Sequence, residues 1–153
     1  METPARQKIA AEKVSCGILV RATAERVYEA MATAEGLNGW FTTESLIDPT
    51  TNGKLYFYWK DWGVDHYTGE SHGVVLEATR PERLVFKWPV DIGSYHTTVE
   101  INFAPVSAGT IVKLIEYGYE ENADKLPNML NRASGWGEAL TLMKFYVEHG
   151  LTY

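Results

Sequence analysis

The sequence predicts an α+β domain in which a curved antiparallel sheet of about seven strands wraps around one long C-terminal helix. Three observations carry that expectation. Short β-type runs follow one another with breaks too brief for a parallel crossover, which needs a dozen or more residues. Near the end the apolar period changes from strand to helix. An antiparallel sheet with one apolar face must cover that face, and the final segment is the only long apolar helix available to do it. At 153 residues the chain has room for one domain.

Residues 1–13 mix Glu2, Arg6, Lys8, Glu12 and Lys13 with small residues and read as a flexible lead-in to a single domain over 14–153. Residues 14–20 (VSCGILV) form a short apolar, β-branched run that suits a first strand. Thr23 stands where a helix N-cap belongs, its hydroxyl placed to accept from an orphan first-turn amide. AERVYEAMATAEG follows, with Val27, Ala30 and Met31 at helical spacing and Gly36 as the expected stop. The chain then reverses through 37–41, and 40–47 reads as a second strand ending before Asp48-Pro49.

Asn52-Gly53 is a turn signal, because both residues accept positive φ at little cost. In the run KLYFYWK (54–60), Leu55, Phe57 and Trp59 share one face while Tyr56 and Tyr58 share the other. Strands are also expected over 67–79, 83–88, 96–104 and 110–117, broken at Pro81, 89–93 and 105–109. In the last segment Met129, Ala133, Trp136, Leu140, Met143 and Val147 fall at spacings of four and three, one buried helical stripe. Pro127 suits the first turn and Gly150 the C-terminal cap. Gly135 and Gly137 each cost about 1 kcal/mol against Ala inside a helix. A helix carrying both either passes close to other backbone there or bends.

Several function classes are disfavoured at once. Fourteen Lys+Arg against twenty Asp+Glu leave a formal charge of −6, the wrong sign for a phosphate-backbone binder or an anionic membrane surface. The single cysteine, Cys16, allows neither an internal disulfide nor a thiolate zinc cluster. No apolar run approaches the ~20 residues of a membrane span, and the N-terminal stretch lacks a signal-peptide core. A cytoplasmic protein without membrane insertion, nucleic-acid partner, metal or cofactor is the expectation. Nucleophile-elbow, phosphate-loop and dinucleotide fingerprints are all missing.

A family resemblance rests on an ordered set of short motifs. These are Thr23-Ala24-Glu25-Arg26-Val27-Tyr28 opening the first helix, Leu37-Asn38-Gly39-Trp40-Phe41 after it, and Gly73-Val74-Val75-Leu76-Glu77 with Pro81. Arg83-Leu84-Val85-Phe86-Lys87-Trp88, Gly109-Thr110, Gly135-Trp136 and the run from Leu140 to Gly150 complete it. Over about 14–150 the chain resembles the START-like superfamily (SRPBCC, the helix-grip or birch-pollen-allergen-like fold). Within that group it is similar to homologues of the heat-shock protein 90 ATPase activator. The resemblance implies a helix-grip fold with a cavity between sheet and terminal helix. It does not imply one function, since binders, cyclases, stress proteins and chaperone cofactors share the fold. The family often shows paired glycines where Asn52-Gly53 stands, and a histidine near the end of the last strand where Glu116 stands.

Strand parity nominates the residues that face this cavity. Val112, Leu114 and Glu116 share a face, and Lys113 on the opposite one is expensive to bury, so the first set points inward. Glu116 then either ends an apolar row as a desolvated carboxylate, fit to donate a proton or anchor a ligand, or sits solvated at the rim. In 67–79 the apolar parity is Val74, Leu76 and Ala78, which carries His72 and Glu70 inward as a potential acid–base pair unless a bulge reverses it. Trp59, Trp62 and Trp88, with Phe57 and Phe86, read either as packed core or as an aromatic pocket wall. For Trp40 and Trp136 core packing is the stronger reading. Residues 60–67 form a long hairpin loop of the kind that covers cavities.

The leading functional expectation is therefore a binder of a small apolar or aromatic molecule. Its walls would be Trp59, Trp62, Phe86, Trp88, Leu114 and Trp136, with Glu70, His72 and Glu116 as the polar contacts. A chaperone-associated interaction module using Tyr56 and Tyr58 on the outer sheet face is the alternative. A cyclase or hydrolase using Glu70, His72 or Glu116 comes third. The sequence singles out neither the ligand's identity, nor a catalytic residue, nor the oligomeric state.

Overall fold

The computed structural model describes residues 12–153; all but the last two residues of the expected lead-in lie outside them. Seven antiparallel strands form one sheet, β1 (Val14–Val20), β2 (Glu44–Ile47), β3 (Lys54–Trp62), β4 (Tyr67–Thr79), β5 (Arg83–Pro89), β6 (His96–Val106) and β7 (Gly109–Tyr117). Their order is β1-β7-β6-β5-β4-β3-β2, so consecutive hairpins run from β2 to β7 while β1 joins β7 at the far edge. Helices α1 (Ala24–Ala32) and α2 (Ala34–Trp40) close one end, and α3 (Lys125–His149) lies across the inner face. The expected helix-grip architecture is the one observed.

Alternation decides which side chains make the core. Leu55, Phe57 and Trp59 of β3, Leu84, Phe86 and Trp88 of β5, and Val99, Ile101 and Phe103 of β6 all turn inward and are buried. Val112 and Leu114 of β7 do the same. From α3 come Trp136, Leu140, Met143 and Val147 of the expected stripe, with Ala139 beside them.

Three local expectations change. Gly36 does not stop the first helix; Thr33 does, by accepting from Gly36 N (3.0 Å) as N-cap of a second helix. Trp40 consequently ends α2 instead of opening a strand, and its indole donates to Ala30 O at 2.9 Å. Gly36 is needed because the two helices touch there: a Cβ would lie 2.4 Å from Glu29 O and 2.6 Å from Ala30 Cα. Both obstacles are backbone, so Gly36→Ala is expected to destabilise the fold by about 1–3 kcal/mol, read from urea unfolding.

The third change concerns β4. Its register against β5 shifts between Val75 and Glu77, leaving Leu76 as an extra residue in a bulge. Ala78 keeps the inner parity and packs on the core. Upstream of the bulge the parity is reversed: Val75 is fully buried, whereas Glu70 and His72 stand on the outer face.

Candidate functional site

Where the inner ends of β5, β6 and β7 meet the first half of α3, a polar cluster is enclosed by aromatic rings. Glu116 is fully buried, which settles its two sequence readings in favour of the interior. Its Oε2 accepts from Trp88 Nε1 (2.7 Å), Thr97 Oγ1 (2.6 Å) and Arg132 Nη1 (2.8 Å). Its Oε1 accepts from Trp136 Nε1 at 2.9 Å. Both oxygens thus serve as acceptors for fixed donors, an arrangement suited to anchoring rather than to giving a proton away.

Arg132 is the other half of the cluster. Its Nη2 donates to Pro89 O (2.6 Å) and pairs with Asp91 Oδ1 (3.0 Å), and its guanidinium lies 4.2 Å from the centre of the Trp88 ring. One turn earlier Asn128, also fully buried, accepts from Ile92 N (2.9 Å) and donates to Ile92 O (3.0 Å). The first half of α3 is therefore tied down mainly by polar side chains, with Met129 against the core, whereas the second half combines apolar packing with Lys144 donating to Leu19 O and Val147 O accepting from Arg26.

The aromatic shell is continuous. Phe41 stacks on Trp40 (5.1 Å) and Trp136 (5.7 Å) and meets Trp59 and Trp62 edge-on at 5.4 and 6.2 Å. Trp88 contacts Phe57 and Phe86, each at 5.7 Å, and Trp136 at 5.5 Å. Trp62 is covered by Tyr153, whose ring centre is 5.5 Å away. Among the described residues Trp62 Nε1 is buried without a hydrogen-bond partner, and Tyr119 Oη is buried within reach of the Glu116 carboxylate. Burial, and then the nearby Glu116 charge, push the Tyr119 phenol well above its usual range. The same two causes raise the Cys16 thiol, which faces Ala133 O at 3.9 Å.

Seven of the nine nominated residues come together here: Trp59, Trp62, Phe86, Trp88, Leu114, Glu116 and Trp136. Glu70 and His72 do not. They lie outside, with side chains 59% and 70% exposed, 3.6 Å from each other, and with Tyr56 donating to Glu70 at 3.2 Å. The bulge at Leu76 is the reason, and it removes both from any interior acid–base role. Replacing His72 with alanine or Glu70 with glutamine is expected to move stability by less than about 0.5 kcal/mol in thermal unfolding, as for other exposed positions.

The expected cavity between sheet and helix is small among the described residues. The enclosed space between sheet and helix is about 10 Å³, lined by Trp40, Phe41, Phe57, Phe86 and Trp136 among others, and would hold one water. The rings themselves fill the interior. A larger depression of about 470 Å³ between residues 21–24 and 105–109 is open to solvent and includes none of the nominated residues.

The sequence reading missed Arg132, Asn128, Thr97 and Tyr119. Arg132 and Asn128 carry the phase of Trp136 back by four and eight residues, but a search for apolar side chains settled on Met129 and Ala133 beside them. Ala133 is exposed and Met129 only half-buried. Gly135 and Gly137, expected to mark close backbone approach or a bend, meet nothing among the described residues within 4 Å of where a Cβ would stand.

Residues 21–148 match the family described as Activator of Hsp90 ATPase homolog 1-like protein. The chain belongs to that family. Solved structures agree on the fold: protein SSP2350 from Staphylococcus saprophyticus is 21% identical, TM-score 0.74, over 92% of this chain and 95% of that one. The Aha1 dimer from Colwellia psychrerythraea is 18% identical, TM-score 0.74, over 90% and 97%. A protein from Rhodobacter sphaeroides is 22% identical, TM-score 0.76, over 90% and 92%. At such identities the likeness concerns the fold alone. No curated protein matches the chain. Membership covers START-like ligand binding and chaperone activation alike, so the choice between them rests on the site. Among the described residues no helix is long and apolar enough to cross a membrane, and no three His, Cys, Asp or Glu side chains gather as a metal site.

Proposed function

We propose that this family member is a cytoplasmic START-like binder of a small, aromatic-compatible molecule, and that its interior site is closed when no guest is present. The observation that carries the reading is a buried donor within the aromatic shell, Trp62 Nε1, that has no acceptor among the described residues. An unsatisfied buried donor costs on the order of 1–3 kcal/mol, and a guest bearing acceptor groups would recover that cost. The buried Glu116–Arg132 pair points the same way. Such pairs add little net stability over apolar packing, so their presence calls for a use other than holding the fold together.

A guest must displace side chains, because about 10 Å³ admits none. The test is a panel of aromatic compounds, with and without charged and hydrogen-bonding groups, read by tryptophan fluorescence and thermal shift. Saturable responses from part of the panel are expected. No saturable response from any compound would end this reading.

A second reading is supported by the family itself and by the uncovered outer face, where Tyr56 and Tyr58 stand half-buried beside His72. It makes the domain a chaperone-associated module. Stimulation of an Hsp90-type ATPase, lost on replacing both tyrosines with alanine, is the result that would favour it.

A further inference from the structure

The partners of the Arg132 guanidinium are divided between two bodies in an uneven way. Every group that accepts from it, and the ring it stacks on, belongs to the sheet or its loops: Glu116 on β7, Pro89 and Trp88 on β5, Asp91 just beyond. Arg132 itself is the helix's contribution. Without that side chain the sheet would present a buried carboxylate, a carbonyl and a second, half-exposed carboxylate around one indole face. That set matches a planar cation, since it offers bidentate acceptors at the edge and a π-face beneath.

The helix segment that carries Arg132 is built to be separable. Residues 125–134 reach the sheet through Asn128 and Arg132, both polar, with Met129 at the edge of the core, while Ala139, Leu140, Met143 and Val147 fill the core and Lys144 donates to Leu19 O. Between the two halves stand Gly135 and Gly137, and among the described residues no packing demand accounts for either. Two exposed glycines in one helix lower its local stability relative to alanines. They sit between the segment held mainly by Asn128 and Arg132 and the segment whose side chains fill the core.

We propose that Arg132 is the built-in occupant of a guanidinium site carried by the sheet. A small organic cation with a guanidinium or amidinium group takes its place when residues 125–134 turn outward about Gly135 and Gly137. This rests on the ligand-binding reading and supplies its ligand class and its route of entry. Outward movement also takes Trp136, the first α3 residue beyond Gly135, partly away from Glu116, which frees Oε1 for the incoming cation.

The experiment titrates the full chain with benzylguanidinium and, as a neutral counterpart of the same shape, benzylurea. Tryptophan emission and hydrogen exchange of residues 125–134 are the readouts. Benzylguanidinium is expected to bind saturably and speed exchange of 125–134 while leaving 139–147 protected; benzylurea is expected to do neither. Arg132→Ala, which removes the competitor, should bind benzylguanidinium at least about tenfold more tightly, in keeping with the strength of charged hydrogen bonds. Gly135→Ala/Gly137→Ala should raise the unfolding temperature yet weaken binding to the wild-type site by about tenfold. That variant stiffens the helix, so it keeps the test decisive even if Arg132→Ala does not fold. Equal binding of benzylurea, or unchanged affinity and exchange in the double alanine variant, would overturn the proposal. If neutral aromatics bind and benzylguanidinium does not, the cation site falls and the ligand reading survives. If nothing binds, both fall.

Discussion

Replacing Glu116 with leucine is expected to cost about 3–5 kcal/mol of folding stability, the range for breaking one side of a buried ion pair. Leucine fills much of the volume, so the loss is not mainly a cavity effect. It comes from stranding the guanidinium of Arg132 and three neutral donors, Trp88 Nε1, Thr97 Oγ1 and Trp136 Nε1, all of which converge on the same carboxylate. Asp91 and Pro89 O remain to Arg132, which keeps the cost below that of an isolated buried charge. The decisive comparison is with Glu116→Leu/Arg132→Met. Removing both charges should lose less than the sum of the single changes, by 1 kcal/mol or more, because neither partner is then left uncompensated. Urea unfolding followed by tryptophan emission measures both. If Glu116→Leu lies within about 1 kcal/mol of wild type, the cluster does not have the energetic weight given to it here.

The second large effect is expected at Trp136. This residue closes the interior from the helix side, stacking with Phe41 and meeting Trp88 while donating to Glu116. Truncation to alanine should destabilise by about 3–5 kcal/mol, as for other buried aromatic deletions. It should also merge the lost ring's volume with the 10 Å³ gap that Trp136 already borders. Free indole is then expected to bind and recover part of the unfolding temperature. Benzothiophene, equal in shape but without an N–H, should recover less, because Glu116 Oε1 would stay without its donor. Circular dichroism melts at saturating compound distinguish the two. Equal recovery by both would show that the hydrogen bond contributes little, and no recovery by either would mean that the interior collapses.

Much of this arrangement can be read from the sequence, for identifiable reasons. The alternation holds from Lys54 to Lys60, through Leu84, Phe86 and Trp88, and along Gly109–Tyr117, so parity alone sends Trp59, Trp88 and Glu116 inward, the register against β4 shifting only beyond Trp59. Tyr67–Thr79 defeats the same rule because one additional residue in the ladder inverts every position upstream, and Leu76 gives no glycine signal at that point. In α3 the difficulty is of another kind. A stripe search ranks side chains by hydropathy, and at the polar end of the helix the buried positions are an asparagine and an arginine. Only the knowledge that Glu116 is enclosed, and must therefore have a partner, would have selected Arg132 over Ala133. The solid interior was beyond parity altogether, because whether inward rings leave a gap depends on their rotamers.

The strand order has a consequence for how the chain comes together. Val14–Val20, the earliest strand made, pairs with Gly109–Tyr117, the latest, with Val14 opposite Glu116. The hairpins in between can zip sequentially as they emerge, but the first segment must wait until nearly everything else exists. Separations of that size slow the search, because closing so long a loop is entropically expensive before any contact repays it. Until that final pairing, the edge of the last hairpin stays open to neighbouring chains. Aggregation during refolding is therefore most to be expected there, and a rearranged chain that fuses the first strand after the last would fold fastest.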